Sequence, residues 1–182
     1  MKRVFFVVLG LVAILGGAAL VLRLVVYDLA RMDNLDMWPT CGHGAWILIN
    51  RRIEPRRGDM VAFELPGEGL QVRRAIALPG EKVAVRGGIP VVDGAAAERR
   101  GARKLERAGR TVALWDESIG GRTWPIVDDD AGRRREMAER SSTGYFVLAD
   151  DRRATDSREY GAIPRERIRG VVQLVLSHGE DP

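Results

Sequence analysis

Few residues in this sequence are able to form crosslinks or bind metal ions. Its 182 residues include one cysteine, Cys41, and two histidines, His43 and His178. A single cysteine excludes an intrachain disulfide, and this set of ligands is too small for a structural zinc site. We therefore expect a chain that folds without a disulfide or a metal and that uses no cofactor.

A strong excess of charge of one sign is also missing from most of the chain. The net charge is +4, but the first 27 residues contain three basic residues and no acidic one. The other residues hold 26 basic and 25 acidic side chains. Because nucleic-acid-binding domains carry a basic patch or stripe, this balance does not predict a nucleic-acid partner.

The sequence has one long apolar run, near its amino-terminal end. Nineteen uncharged residues extend from Val4 to Leu22, and as a helix they would span about 28 Å, close to the ~30 Å of a bilayer's hydrocarbon core. A cleavable signal peptide has a shorter apolar region, of about 7–15 residues. We therefore predict a membrane anchor over residues 1–27. Lys2 and Arg3 favour a cytoplasmic amino terminus, so residues 28–182 are expected on the outer face of the cytoplasmic membrane.

Sustained helical periodicity is absent after the anchor. Short apolar runs rich in β-branched residues alternate instead with turns that contain glycine or proline, which is typical of strands. The runs are Trp46–Ile49, Met60–Phe63, Val83–Val85, Tyr145–Leu148 and Val171–Leu176. The segment Gly88–Gly94 has the pattern of a short hairpin arm. We predict a mostly β domain over residues 28–182.

Residues 95–142 differ from the rest of this domain by their density of charge. Glu98–Arg110 holds six basic residues and two acidic ones. A charge run of this kind is usually a solvated loop or helix face, and binding of anionic lipid headgroups is the alternative. Trp115 and Trp124 indicate that part of this variable insert packs against the domain.

Four short segments, taken in order, carry a family pattern. They are Asp36-Met37-Trp38-Pro39-Thr40, Arg57–Phe63, Val72–Lys82 and Ala149–Pro164. Together they resemble the motifs of the type I signal peptidases, membrane-anchored Ser/Lys endopeptidases that remove signal peptides. The resemblance covers residues 1–94 and 143–175. It implies the β fold of these peptidases, with signal peptides or preproteins as ligands. It also implies contact with the membrane, and it makes other membrane proteins candidate partners.

The sequence departs from the family at the positions of the chemistry. The family's serine nucleophile corresponds to Asp36, which has no hydroxyl proton to give up. The family's lysine general base corresponds to Arg73, and a guanidinium stays protonated in proteins. A small hydroxyl residue that helps to hold the oxyanion corresponds to Asn34, which keeps a hydrogen-bond donor. We expect Asp36 and Arg73 to form a salt bridge where the dyad would be.

The resemblance also assigns roles around these positions. With Asn34, it implies that Met37 and Pro39 belong to the substrate-binding or oxyanion side of the groove. The fourth motif has three residues between Arg152 and Asp156 where the family has four, and it lacks the serine that orients the lysine. Its structural half is retained. The supporting residues are expected to be Arg74, Asp150, Asp156, Ser157 and Arg158.

Two other nucleophile arrangements are open to the sequence. Cys41 has His43 two residues later, and these side chains would share a face of an extended strand. An aspartic mechanism would pair Asp36 with Asp33, but Arg73 opposite Asp36 would keep that carboxylate ionised. Both arrangements are weaker than a loss of hydrolysis.

The sequence thus leaves three functions open. The first is a signal-peptidase-like protein that binds preproteins and has lost hydrolysis. The second is an active signal peptidase with a non-standard site. The third is a non-catalytic envelope scaffold whose β domain only contacts partners.

Overall fold

The protein consists of one long helix followed by a mostly β body. The computed structural model describes residues 2–107, 110–129 and 135–179. In chain order the elements are α1 (Lys2–Val25), β1 (Tyr27–Arg31), β2 (Trp46–Asn50), β3 (Met60–Leu65), β4 (Gly69–Ala77), β5 (Lys82–Arg86), β6 (Ile89–Val92), β7 (Ala95–Ala96), β8 (Glu98–Arg107), β9 (Arg110–Ile119), β10 (Arg122–Asp128), β11 (Met137–Ser141), β12 (Phe146–Leu148), α2 (Ser157–Tyr160), a 3-10 turn (Arg165–Arg167) and β13 (Ile168–Val175).

Helix α1 is long and apolar enough to cross a membrane. The candidate span is Val4–Arg23, and the rest of the protein buries none of it. Only Val26 separates the end of α1 from the start of β1. The helix therefore leads into the β body without a linker.

The largest sheet is antiparallel and has the strand order β1-β2-β13-β3-β4-β12. One of its faces packs into a core that includes Ile47, Ile49 and Met60. The opposite face packs at β3, β4 and β12 around Phe63 and Val147. Alternation of side chains along each strand separates these two cores. Each of the five runs expected to form a strand overlaps a strand of the protein, with Tyr145 just before β12 and Leu176 just after β13, and the mostly β prediction is confirmed.

Two smaller sheets complete the body, with strand orders β11-β5-β6-β7 and β10-β9-β8. Two-residue loops join β5 to β6 at Gly87-Gly88, β6 to β7 at Asp93-Gly94, and β9 to β10 at Gly120-Gly121. Every residue in these loops has a positive φ, which is the geometry that a tight hairpin turn requires and that glycine adopts most readily. The predicted hairpin arm at Gly88–Gly94 is confirmed as β6 and its turns.

The charged segment is not a solvated loop, and this expectation was wrong for the part that the structure describes. Strands β8, β9 and β10 form a sheet, and its inner face joins a third core with Ile119, Trp124 and Ile126. Trp115 packs against the same core, as the sequence indicated. The reason is alternation, since Trp115 and Ile119 of β9 face inward while Arg100 and Arg103 of β8 are exposed to solvent. Residues 108–109 and 130–134 of the segment lie outside the described residues.

Candidate active site

Asp36 and Arg73 lie opposite each other and form a salt bridge. Asp36 belongs to the turns between β1 and β2, and Arg73 lies in β4. Arg73 Nη2 and Asp36 Oδ2 are 2.6 Å apart, with the Arg73 side chain 3% exposed and the Asp36 side chain 29% exposed. The predicted ion pair is therefore confirmed. The Arg73 side chain is almost closed from solvent, whereas the Asp36 carboxylate is partly exposed.

The Arg73 guanidinium also holds two main-chain carbonyl groups. Nε donates to the Thr155 carbonyl at 2.9 Å, and Nη1 donates to the Val72 carbonyl at 2.7 Å. Together with Asp36, these contacts join β4, the turn after β1 and the loop before α2. Arg73 is thus a clamp across three segments, with each of its nitrogens engaged.

Asn34 is occupied by its own neighbours. Its Oδ1 accepts from the Asp36 backbone N–H at 3.2 Å, and its Nδ2 donates to Asp33 Oδ1 at 3.3 Å. Backbone N–H groups next to a nucleophile are the usual donors to an oxyanion. Here the N–H at position 36 faces an internal acceptor.

The other two residues expected on the substrate side lie elsewhere. Met37 is fully buried in the core beneath the large sheet, so its side chain is not exposed to a ligand. Pro39 follows Trp38 through a cis peptide bond and is half-buried.

An open groove of about 520 Å³ lies over the Asp36–Arg73 pair. Its walls are polar except at Ala154, and the lining residues are Asp33, Asn34, Asp36, Glu68, Gln71, Arg73, Arg153, Ala154 and Thr155. This lining contains no thiol, imidazole or primary amine. Groups that act as neutral bases near pH 7 are therefore missing from the walls of the groove.

Strand β4 has an open edge beside this groove. In the described part of the chain, β12 pairs with β4 only from Arg74 onward. The residues of β4 before Arg74 have no described partner strand on that side. Ala75 bonds to the Asp59 carbonyl on the β3 side. Because main-chain groups alternate in direction along a strand, those of Leu70 and Val72 point to the open edge. The Val72 carbonyl on this edge accepts the guanidinium bond described above.

Arg74 points to the opposite face of β4 and makes a buried two-point contact with Asp150. Arg74 Nε lies 2.8 Å from Asp150 Oδ1, and Nη2 lies 2.5 Å from Oδ2. Thr40 donates to the same carboxylate. The Arg74 guanidinium lies over the Trp124 ring, with its Cζ 5.0 Å from the ring centroid. This contact ties the first motif, β4 and the fourth motif together.

Asp156 and Arg158 form the second support. Asp156 caps α2 in a capping box, and its carboxylate accepts from Arg158 Nε at 2.8 Å and Nη2 at 2.7 Å. Arg158 also donates to the Arg152 carbonyl at 2.7 Å. Ser157 is buried, and its hydroxyl accepts from the Val147 N–H at 3.0 Å. These contacts fix the loop that supplies the Thr155 carbonyl.

A third support was not found from the sequence. Arg152 and Glu117 are both fully buried and form an ion pair. Glu117 also pairs with Arg99 at 3.0 Å, and Arg99 pairs with Asp128 at 2.5 Å. Two guanidiniums and two carboxylates therefore balance their charges inside the protein, and they join the fourth motif to the three-stranded sheet.

The sequence contained one signal for this network. Glu117 alternates with Trp115 and Ile119 along β9, so it occupies an inward position between two side chains of the core. A carboxylate at such a position requires a buried cation. The sequence did not identify that cation, because Arg152 is 35 residues from Glu117 in the chain and only the fold brings the two together.

Other nucleophiles in this region are protonated and packed. Burial raises the pKa of the Cys41 thiol to about 12, and the side chain lies in the core. Burial also raises the pKa of the Tyr160 hydroxyl, although Arg73 nearby lowers it. A thiol attacks as thiolate, so the Cys41–His43 arrangement does not supply a nucleophile. Within residues 2–107, 110–129 and 135–179, no group of three metal-binding side chains forms a site.

The comparisons with known proteins agree with this geometry. The family model described as signal peptidase, peptidase S26, matches residues 3–177. No curated protein matches the sequence. Since the match spans the anchor, both halves of the groove and the supporting pairs, the chain belongs to the signal peptidase family, peptidase S26.

Proposed function

We propose that this protein is a membrane-anchored member of its family that binds signal peptides or preproteins on the outer face of the cytoplasmic membrane without cleaving them. The single observation that carries the proposal is the clamped ion pair between Asp36 and Arg73. It stands where the resemblance assigns the nucleophile and the general base.

Loss of hydrolysis follows from the chemistry of the two side chains. Asp36 has no hydroxyl, and its carboxylate is held by a cation 2.6 Å away. Arg73 has no neutral form in proteins with which to accept a proton. The aspartic alternative would need Asp36 to share a proton with Asp33, which an ion-paired carboxylate does not do. The lining of the groove offers no imidazole or amine as a replacement base, and its other carboxylates are those of Asp33 and Glu68.

Binding of an extended segment does not depend on these two groups. Strand addition uses main-chain hydrogen bonds to a free edge. The outward groups of Leu70 and the N–H of Val72 support such a mode, while the Val72 carbonyl is already bonded to Arg73. The polar walls of the groove favour recognition of the ligand's main chain over burial of large apolar side chains. The apolar helix α1 would hold this groove at the membrane, where preproteins emerge.

The first experiment measures cleavage. The full chain in detergent is incubated with a model preprotein, beside an active family member as the control. We expect cleavage by the control alone. Cleavage at the control's site by this protein would establish the second function, an active signal peptidase with a non-standard site.

The second experiment measures binding. A photoreactive signal peptide is crosslinked to the full chain, to Thr155→Trp, and to Thr111→Trp as a matched control. Thr155 lies on the groove and contacts Arg73 only through its carbonyl, whereas Thr111 is an exposed threonine of β9. We expect a severalfold loss of crosslinking for Thr155→Trp alone. No crosslinking, or an equal loss in both variants, would favour the scaffold function.

A further inference from the structure

Cationic side chains gather at the end of the anchor helix. Arg23 lies in the last turn of α1. Arg51 and Arg52 follow β2, and their side chains reach the final carbonyls of the helix. Arg51 Nη2 donates to the Arg23 and Tyr27 carbonyls at 3.4 and 3.3 Å, and Arg52 Nε donates to the Val25 carbonyl at 3.2 Å. Guanidiniums at a helix carboxyl end are stabilised there by the helix dipole.

The local charge is positive and is accessible to solvent. Arg23 and Arg52 are both exposed. Asp28 of β1 forms an ion pair with Arg169 at 2.6 Å, and Arg169 also pairs with Glu64 at 2.9 Å, so one guanidinium is shared between two carboxylates. An anion that approaches the end of α1 therefore meets three guanidiniums, those of Arg23, Arg51 and Arg52, beside the one carboxylate of Asp28 in β1.

An apolar groove lies directly beside these cations. It has a volume of about 330 Å³ and runs between the last turns of α1 and the first two strands. The lining residues are Ala19, Leu22, Arg23, Tyr27, Asp28, Leu29 and Leu48. Its size and its mainly apolar walls suit a hydrocarbon chain, and Arg23 is at its rim.

The sheet face next to the groove is apolar as well. Leu48 of β2 pairs with Leu29 on one side and with Leu174 on the other. Around this row Trp46 is 44% exposed, Leu174 is 53% exposed and Leu176 is 56% exposed. Single exposed apolar side chains are ordinary, but a contiguous patch marks an interaction surface. The patch begins where a membrane-spanning helix ends, so the surface continuous with it is the bilayer.

We propose that the junction of α1 with β1 and β2 binds an anionic phospholipid. The guanidiniums of Arg23 and Arg52 hold the phosphate, and an acyl chain lies in the groove lined by Leu22, Leu29 and Leu48. The bound lipid seats the face that carries Trp46 against the bilayer. This site is separate from the groove over Asp36, and it does not depend on whether preproteins are bound or cleaved.

The test uses the full chain in nanodiscs and the fluorescence of Trp46, with Trp46→Phe measured to subtract the other three tryptophans. Spin-labelled phosphatidylglycerol is compared with spin-labelled phosphatidylcholine as the quencher. We expect phosphatidylglycerol to quench at a severalfold lower mole fraction. One arginine near a membrane surface contributes about fivefold in affinity, so R23Q/R52Q should lose the preference by about tenfold or more.

A charge-matched control separates this site from general surface charge. R100Q/R103Q removes two exposed guanidiniums of β8 and should keep the preference. Equal quenching by both lipids, an unchanged preference in R23Q/R52Q, or an equal loss in both double variants would overturn the proposal. So would complete relief of quenching by inorganic phosphate at constant ionic strength, because the site would then recognise a free anion.

Discussion

The energy of the Asp36–Arg73 pair is set by how unequally the two side chains are buried. Arg73 is almost closed from water while Asp36 is 29% exposed. Removal of one partner costs about 3–5 kcal/mol for a buried pair and about 0–1 kcal/mol for an exposed one. We expect Asp36→Ala to lower the free energy of unfolding by about 2 kcal/mol, between these limits, because Arg73 would be left buried without its counter-charge.

The matching measurement is a double-mutant cycle by chemical denaturation of the full chain in mild detergent. In an Arg73→Met background no buried guanidinium remains at position 73 to be left without its counter-charge, so the same Asp36→Ala change should have a much smaller effect. Equal losses in the two backgrounds would mean that the side chains do not stabilise each other.

Restoring the two family residues should not restore normal activity. Asp36→Ser with Arg73→Lys supplies a hydroxyl and an amine, but the fourth motif still offers the Thr155 carbonyl where the family has an orienting serine. Misplacement of a reacting group by about 1 Å costs roughly 100-fold in rate. In the preprotein assay, we expect turnover at least about 100-fold below an active family member. Normal turnover would show that the shortened motif does not limit the chemistry.

At the scale of elements, the buried ion pairs around Glu117 determine how strongly the three-stranded sheet is attached to the fourth motif. Glu117 serves both Arg152 and Arg99. Glu117→Gln would leave two buried guanidiniums with one carboxylate between them, at a cost of about 3–5 kcal/mol. Thermal unfolding of the full chain should show this as a clear drop in melting temperature.

Glu98→Gln is the matched control for this prediction. Glu98 lies in β8, and its ion pair with Arg100 is exposed on both sides, so the melting temperature should change little. A small effect of Glu117→Gln, similar to that of Glu98→Gln, would mean that Arg152 finds another partner and that β9 does not hold the loop.

Elements marked by local pattern were predictable from the sequence, and elements defined by pairing were not. The apolar runs gave β2, β3, β5, β12 and β13, and Gly87-Gly88 marked a turn. Strands β8 and β9 were missed because the basic side chains of β8 obscured the alternation of Trp115, Glu117 and Ile119 in β9. Charge density describes the solvated face of a sheet as well as it describes a loop, so composition alone does not separate the two.

The site was predictable only as far as residue type and motif position allowed. The facing charges of Asp36 and Arg73 followed from the motif. The hydrogen bonds from the Arg73 guanidinium to two main-chain carbonyls did not follow from the motif, because every residue carries a main-chain acceptor. Met37 lies in the core because the turn after β1 rotates it inward, and a motif does not specify such a rotation.

For the whole molecule, the anchor predicts a single orientation. We propose that Lys2 and Arg3 hold the amino terminus in the cytoplasm, which would place all of the β body outside. Protease added to intact spheroplasts should digest residues 28–182 and leave a short membrane-protected fragment. Complete protection of the chain would contradict this orientation, and a cytoplasmic marker protein serves as the control for intact membranes.

The fold as a whole should be insensitive to redox and metal conditions. Cys41 is the only cysteine and is buried as a thiol. Its raised pKa keeps it protonated at all pH values below about 12. Reductant and chelator should therefore leave the melting temperature unchanged. A drop of several degrees with chelator alone would reveal a metal site.

The clamp at Arg73 also makes the order of two substitutions matter. Replacement of Asp36 by serine first would leave the buried guanidinium of Arg73 without its counter-charge, so this single variant should be the less stable one. Replacement of Arg73 by lysine first keeps an opposite charge beside Asp36 and keeps donors for the Thr155 carbonyl. A serine and lysine pair at these two positions is therefore reached through a stable single variant in one order and through an unstable one in the other.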